Sequence, residues 1–162
     1  MPIVELSIPE NRKAVLIGKD GRIKEDIEKK TGTSITVSDY VKVEGPVEGL
    51  LKAENIVKAI GRGFSPRNAR RLLNEDCCLE IISMERESES TRRRLFSRVI
   101  GKNGDTRKII EKETGAVISV YGKTVSIIGH PEELGAAQRA IGALLEGKKH
   151  SYAYSLINER KH

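Results

Sequence analysis

The chain repeats itself. Ile17-Gly18-Lys19-Asp20-Gly21 returns as Ile100-Gly101-Lys102-Asn103-Gly104. The spacing that carries Gly18 onto Gly101 also carries Ile27 onto Ile110, Glu28 onto Glu111, Thr31-Gly32 onto Thr114-Gly115, Ile35 onto Ile118 and Val37 onto Val120. One extra residue then enters the second copy. Past it, Val41-Lys42-Val43-Glu44-Gly45 falls on Val125-Ser126-Ile127-Ile128-Gly129, Ala53 on Ala137 and Ile60 on Leu144. A correspondence this long, broken once in a turn, limits the fold more than any local propensity. The chain of 162 residues is therefore read as one small unit made twice. Each unit has roughly 60–80 residues, near the lower limit for a self-sufficient core.

The elements of the unit follow from hydrophobic spacing. Residues 3–7 alternate as a strand that Pro9 ends, and 11–17 form a short helix stopped by Gly18. After the turn, Ile23, Ile27 and Lys30 fall at helical spacing, and Thr31-Gly32 closes that helix. Residues 33–38 alternate as a half-buried strand, and a second strand covers 41–44. Pro46 opens a longer helix whose Leu50, Ala53, Ile56, Val57 and Ile60 make one apolar stripe. In the second copy the matching elements are a strand near 78–84, helices 91–100 and 105–114, strands 116–121 and 123–128, and a helix 131–146. Between the copies, Ser65 is a good N-cap and Pro66 suits a first helical position, so a short basic helix fits 66–74. The polar stretch 85–91 reads as a loop. The domains are then 1–63 and 77–147, joined by a linker helix in 64–76 and followed by a tail, 148–162, with Tyr152 and Tyr154.

Charge narrows the class of partner. The net charge is +6. Residues 1–62 are close to neutral, and the excess of base lies in the second half. Arg92, Arg93, Arg94, Arg98, Lys102, Arg107 and Lys108 crowd the second Gly-x-x-Gly against the single acid Asp105. A basic stripe of this kind points to nucleic acid; the competing reading is a solvated surface rich in ion pairs. Aromatics make up only 4% of the chain, with no tryptophan, so extended stacking platforms are not expected.

Enzyme readings fail on spacing. Gly122-Lys123-Thr124 imitates the end of a phosphate-binding loop, but Val117 stands where its first glycine belongs. Gly61-Arg62-Gly63 begins a dinucleotide pattern, but Pro66 replaces the third glycine. His130, His150 and His162 lack metal-ligand spacing, so no metal and no cofactor is expected. The adjacent Cys77 and Cys78 read as reduced and structural, on or beside a strand, which fits a cytoplasmic protein. No apolar run reaches membrane length, and the first residues carry no signal-peptide pattern.

What remains is the turn. A glycine has no Cβ to hold a phosphate backbone away, and a helix start offers free N–H groups to an anion. Lys102 adds a mobile cation and Asn103 hydrogen bonds without repulsion. In the first copy Asp20 would face the phosphates.

Ile-Gly-x-x-Gly, an isoleucine-bearing helix ending in Thr-Gly, and then an alternating strand resemble the KH domain of RNA-binding proteins. The resemblance covers both copies. It implies an α+β fold of two eukaryotic-type (type I) KH domains. Each would run β-α-α-β-β-α, with a three-stranded sheet covered by helices on one face. It also implies that the turn clamps about four backbone nucleotides while an aliphatic groove receives the bases. The principal RNA-binding residues would then be Arg94, Arg98, Gly101, Lys102, Asn103, Gly104, Arg107 and Lys108. The secondary set would be Gly18, Lys19, Asp20, Gly21, Arg22 and Lys24.

A narrower resemblance rests on Ala59-Ile60-Gly61-Arg62-Gly63-Phe64-Ser65-Pro66 and on Ile100 to Glu111. These look like the partner-of-Nob-one family, the tandem-KH assembly factors of the small ribosomal subunit, and two intact turns look like its archaeal form. That resemblance implies binding of single-stranded small-subunit ribosomal RNA near its 3′ end during maturation. It also implies work beside the Nob-one endonuclease and contact with the alpha subunit of initiation factor two. The alternatives are a protein-docking adaptor and a general regulator of RNA decay or translation.

Overall fold

This computed structural model describes residues 1–158. The chain divides into two units, Met1–Glu75 and a second from Asp76 onward. The first unit comprises β1 (Ile3–Leu6), α1 (Glu10–Ile17), α2 (Arg22–Thr31), β2 (Ser34–Val37), β3 (Val41–Glu44) and α3 (Val47–Gly61). It closes with α4 (Pro66–Ala69) and a 3-10 turn, Arg70–Leu73. The second unit repeats the order with β4 (Cys78–Ser83), α5 (Glu89–Ile100), α6 (Asp105–Thr114), β5 (Val117–Tyr121), β6 (Thr124–Gly129) and α7 (Pro131–Leu145). A further helix, α8 (His150–Ser155), follows. Each unit thus has the β-α-α-β-β-α order of a type I KH domain. The antiparallel sheets run β1-β3-β2 and β4-β6-β5. Among the described residues no helix is long and apolar enough to cross a membrane.

The sequence pattern explains the layers. On β3, Val41 and Val43 are buried and Lys42 between them is exposed, as a strand with one packed face requires. The stripe on α3 is buried at Leu50, Ala53, Ile56, Val57 and Ile60. In the second unit Val99, Ile110, Val125, Ile127, Ile141 and Leu144 form the centre of one core. The inserted residue has a defined place. In the first unit Val37 pairs with Val41 across three loop residues. In the second, Val120 pairs with Val125 and a further pair, Tyr121 with Thr124, leaves a two-residue turn, Gly122-Lys123. The Gly-Lys-Thr sequence is therefore a hairpin tip, with Gly122 at a φ of 56°.

Two boundaries differ from the sequence reading. α5 begins at Glu89, inside the stretch read as a loop, because Ser88 caps it by accepting the Thr91 N–H at 3.2 Å. The basic segment after α3 is α-helical only to Ala69, although Ser65 does accept the Asn68 N–H at 3.1 Å. Neither cysteine is in a disulfide: Cys78 is exposed at the start of β4, and the Cys77 Sγ lies 3.9 Å from the His130 ring nitrogens.

The segment after α3 is tied into the first unit. Phe64 is buried, and its backbone N–H donates to the Ala59 carbonyl at 3.1 Å. Arg12 on α1 donates to the carbonyls of Ile60 and Phe64, both at 2.7 Å. Arg70 donates to Asp26 on α2 at 3.2 Å, and Lys30 lies 3.3 Å from the same carboxylate. Burial alone would raise the Asp26 pKa; the hydrogen bonds from Lys30 and Arg70 outweigh it and hold the carboxyl below its ordinary value.

Two outcomes follow. Phe64→Ala removes a buried ring and costs about 3–5 kcal/mol, read as a lower urea midpoint for the full chain. Asp26 has a depressed folded pKa, so its contribution is present above the unfolded value, about pH 4, and is lost as pH falls through the folded value. Asp26→Asn should lower stability at neutral pH and flatten the acid limb of the stability profile, measured by denaturation between pH 2 and about 6.

Candidate nucleic-acid interface

The two Gly-x-x-Gly turns have the same backbone. Gly18 and Gly101 sit at φ/ψ of 73°/179° and 76°/174°, a region that only glycine occupies readily. Asp20 and Asn103 are left-handed, at 55°/27° and 57°/24°, and Gly21 and Gly104 follow at 74°/10° and 76°/12°. Each turn closes with the last glycine N–H donating to the first glycine carbonyl at 3.2 Å.

The two glycines of a turn have different reasons to be there. A Cβ on Gly101 would lie 2.7 Å from the Thr106 Cβ and backbone nitrogen, and one on Gly18 would lie 2.8 Å from the Ile23 Cβ. The first glycine is thus required by contact with the following helix as well as by its dihedrals. At Gly104 the nearest atom is the Lys108 Cε at 3.8 Å, and at Gly21 it is a Glu25 oxygen at 3.9 Å. The space outside the second glycine is open to a ligand backbone. The residue between them is also restricted. Asn and Asp are the non-glycine residues that best tolerate the left-handed region. Asn103 therefore has a backbone reason to stand in the turn besides the hydrogen bonds its side chain offers.

Around the second turn, Arg94, Lys102 and Lys108 are exposed and make no ion pair among the described residues. Asn103 is exposed beside Lys102. Arg107 is committed to Glu111 at 2.9 Å, and the other Glu111 oxygen accepts the Ile118 N–H at 2.9 Å. Arg98 turns the other way: its guanidinium donates to the Lys148 carbonyl, and His150 Nε2 donates to the Arg98 carbonyl at 3.0 Å. Arg93 pairs with Glu89 at 3.1 Å, and Arg92 donates to the Glu87 carbonyl. Of the basic cluster, then, Arg94, Lys102 and Lys108 are the charges held ready for an anion.

The first turn presents Lys19, Asp20 and Arg22, all exposed. Lys24 is drawn into a pair with Glu28 at 3.1 Å, and Glu28 in turn accepts the Ile35 N–H at 2.7 Å. Position by position, the second copy places Arg94, Asn103 and Lys108 where the first has Asn11, Asp20 and Glu25. The exchanges of Arg12, Lys13 and Arg22 for Leu95, Phe96 and Asp105 run the other way. The aliphatic surface differs as well. Ile100 and Ile109 flank the second turn with 36% and 40% of their surface exposed. Ile110 and Ile118 are core. The position of Ile109 is taken in the first copy by Asp26, already held by Lys30 and Arg70.

Known proteins share this arrangement. Residues 78–162 match a Pno1 second-domain profile described as the eukaryotic type KH-domain (KH-domain type I), and residues 3–59 match the KH domain profile. A KH domain-containing protein of Methanocaldococcus jannaschii is 40% identical over 96% of this chain and 73% of its own length. The pre-rRNA-processing protein pno1 of Aspergillus fumigatus is 34% identical over 68% of this chain, which spans 46% of that longer protein. The crystal structure of Dim2p from Pyrococcus horikoshii superposes with a TM-score of 0.90 at 43% identity, covering 99% of this chain and 100% of that one. The same organism's complex of a/eIF2alpha, aDim2p and rRNA gives a TM-score of 0.89 at 44% identity, over 96% of this chain and 92% of that one.

The unequal glycines are open to test. Gly101→Ala meets both the dihedral restriction and Thr106, so it should destabilise by about 2–3 kcal/mol or more. Gly104→Ala meets strain alone and should cost about 1–2 kcal/mol. Thermal melts of the two variants check the order, and an equal loss would contradict it.

Proposed function

Since this chain belongs to the KH-domain family, as a tandem type I protein related to Pno1 and Dim2p, we propose that it binds single-stranded small-subunit ribosomal RNA near its 3′ end and assists its maturation. The observation that carries the reading is the second turn: an open Gly104, the free cations Arg94, Lys102 and Lys108, and the exposed Ile100 and Ile109 on either side. Phosphates lie along the turn, within reach of the N–H groups that begin the 3-10 turn and α6. Bases lie against the aliphatic side chains. The protein acts by holding RNA rather than by changing it.

Gly101, Lys102, Asn103, Gly104, Arg94 and Lys108 are the principal contacts. Arg107 and Arg98 act from behind them, since both are already engaged within the unit. The first turn, Gly18 to Gly21 with Arg22 and Lys24, is a secondary site, weakened by Asp20 and Glu25. The rRNA complex of a similar Dim2p supports the RNA reading, and the a/eIF2alpha in it supports an initiation factor two alpha subunit as protein partner. The Nob-one endonuclease is the second proposed partner, by family resemblance.

Binding should depend on salt. With roughly 3–5 phosphate contacts at about −0.7 each, log Kobs against log salt should fall with a slope of about −2 to −3.5. A slope near zero with unstructured RNA would remove the electrostatic account. Replacing Lys102 and Asn103 by aspartates should reduce affinity for a 3′-end fragment by about tenfold or more. The turn should survive, because Asp20 already occupies the same backbone conformation in the first copy. Lys19→Asp should cost less. If it costs more, the principal site lies in the first copy.

A further inference from the structure

We propose that the second unit holds an additional nucleotide subsite, built by α8 against the back of the turn, which takes one base bearing an exocyclic amino group. It rests on the reading that the turn holds RNA and extends that site beyond the β-α-α-β-β-α unit. A groove of about 460 Å³ opens there, walled by Arg98 from α5, Lys102 from the turn, Asp105 and Thr106 from α6, and His150 and Tyr154 from α8. That volume suits a nucleotide, within the range of about 300–1,000 Å³ typical of ligand sites.

The wall is fixed before any ligand arrives. Arg98 donates to the Lys148 carbonyl at the start of α8, and His150 Nε2 donates to the Arg98 carbonyl at 3.0 Å. At the other end Arg139 on α7 donates to the Leu156 carbonyl at 3.0 Å. The rings of His150 and Tyr154 stand 6.2 Å apart and tilted by 57°. They give a planar base an aromatic surface in a chain otherwise poor in aromatics. Two polar groups sort the ligand. The Asp105 carboxylate only accepts, so it favours a base that donates through an amino group. Lys102 reaches the phosphate shared with the turn. After α3 the first unit has no such ring pair: there the chain buries Phe64 instead. The subsite belongs to the second copy alone.

The test uses the full chain and three RNAs at one salt concentration: a uridine tetranucleotide, and the same RNA lengthened at either end by adenosine or by uridine. Adenosine at one end should tighten binding of the parent by about tenfold, and uridine by less. His150→Ala and Tyr154→Ala should lose that gain and keep the tetranucleotide affinity, while Tyr154→Phe keeps both. Asp105→Asn, at an exposed position, should erase the preference for adenosine over uridine; it decides the matter if the ring variants prove unfolded by circular dichroism. Equal gains in the parent and all folded variants overturn the subsite. Adenosine monophosphate binding with no gain for the lengthened RNA also overturns it, as a site for free nucleotide. If the parent fails to bind the tetranucleotide, the RNA reading of the turn falls, and the subsite falls with it.

Discussion

Each unit is organised by the space denied at its first turn glycine. Gly18 and Gly101 take dihedrals that other residues avoid, and they press against Ile23 and Thr106 where a Cβ would not fit. That contact brings the end of one helix directly onto the start of the next. The helix starts therefore face outward beside the open second glycine, and the anion-binding character of the turn follows from the elbow. The cations around it decide how strongly an anion is held, but they could not act together without it.

Identical backbones have not kept the two copies identical in surface. α1 buries Lys13, whose ammonium reaches Glu10 at 2.5 Å and the Asp39 carbonyl at 3.0 Å, where α5 buries Phe96. The first copy spends its charges internally: Arg12 on backbone carbonyls, Asp26 on Lys30 and Arg70, Lys24 on Glu28. The second copy keeps Arg94, Lys102 and Lys108 outside. Around its turn the second copy presents three cations, where the first sets Lys19 and Arg22 beside Asp20 and Glu25.

Much of this was legible in the residues. The repeat located both turns, and the spacing of Leu50, Ala53, Ile56, Val57 and Ile60 marked α3, because burying one helix face leaves a periodic trace. Ser65-Pro66 marked a helix start for the same local reason. Other features left no such trace. Ser88 looked like any serine in a polar loop until its hydroxyl was seen to hold the Thr91 N–H. The left-handed backbone at Asp20 and Asn103 shows only as a choice of residue type, and the shared Asp/Asn character of the repeat was its one signal. The diversion of Arg98 depends on Lys148 lying near in space, whereas Arg107 and Glu111, four apart on α6, are a pair that helical spacing does announce. Residues 148–158 carry no hydrophobic period long enough to announce α8, whose Ala153 and the following Ile157 are nevertheless buried. The remainder of the predicted tail, 159–162, lies outside the described residues.

Glu28 and Glu111 have a bearing beyond the turn. β2 and β5 each form one edge of their sheet, next to the helices that carry these carboxylates. A bare edge offers a row of unsatisfied amides on which a foreign strand can grow, and small β-proteins aggregate by that route. Here the outward amides of Ile35 and Ile118 already donate to Glu28 and Glu111, and the Ile35 carbonyl accepts from Lys24. A side chain from the neighbouring helix occupies the place an invading strand would need. The same carboxylate that steadies a basic residue thus makes this edge of each sheet a poor template for self-association.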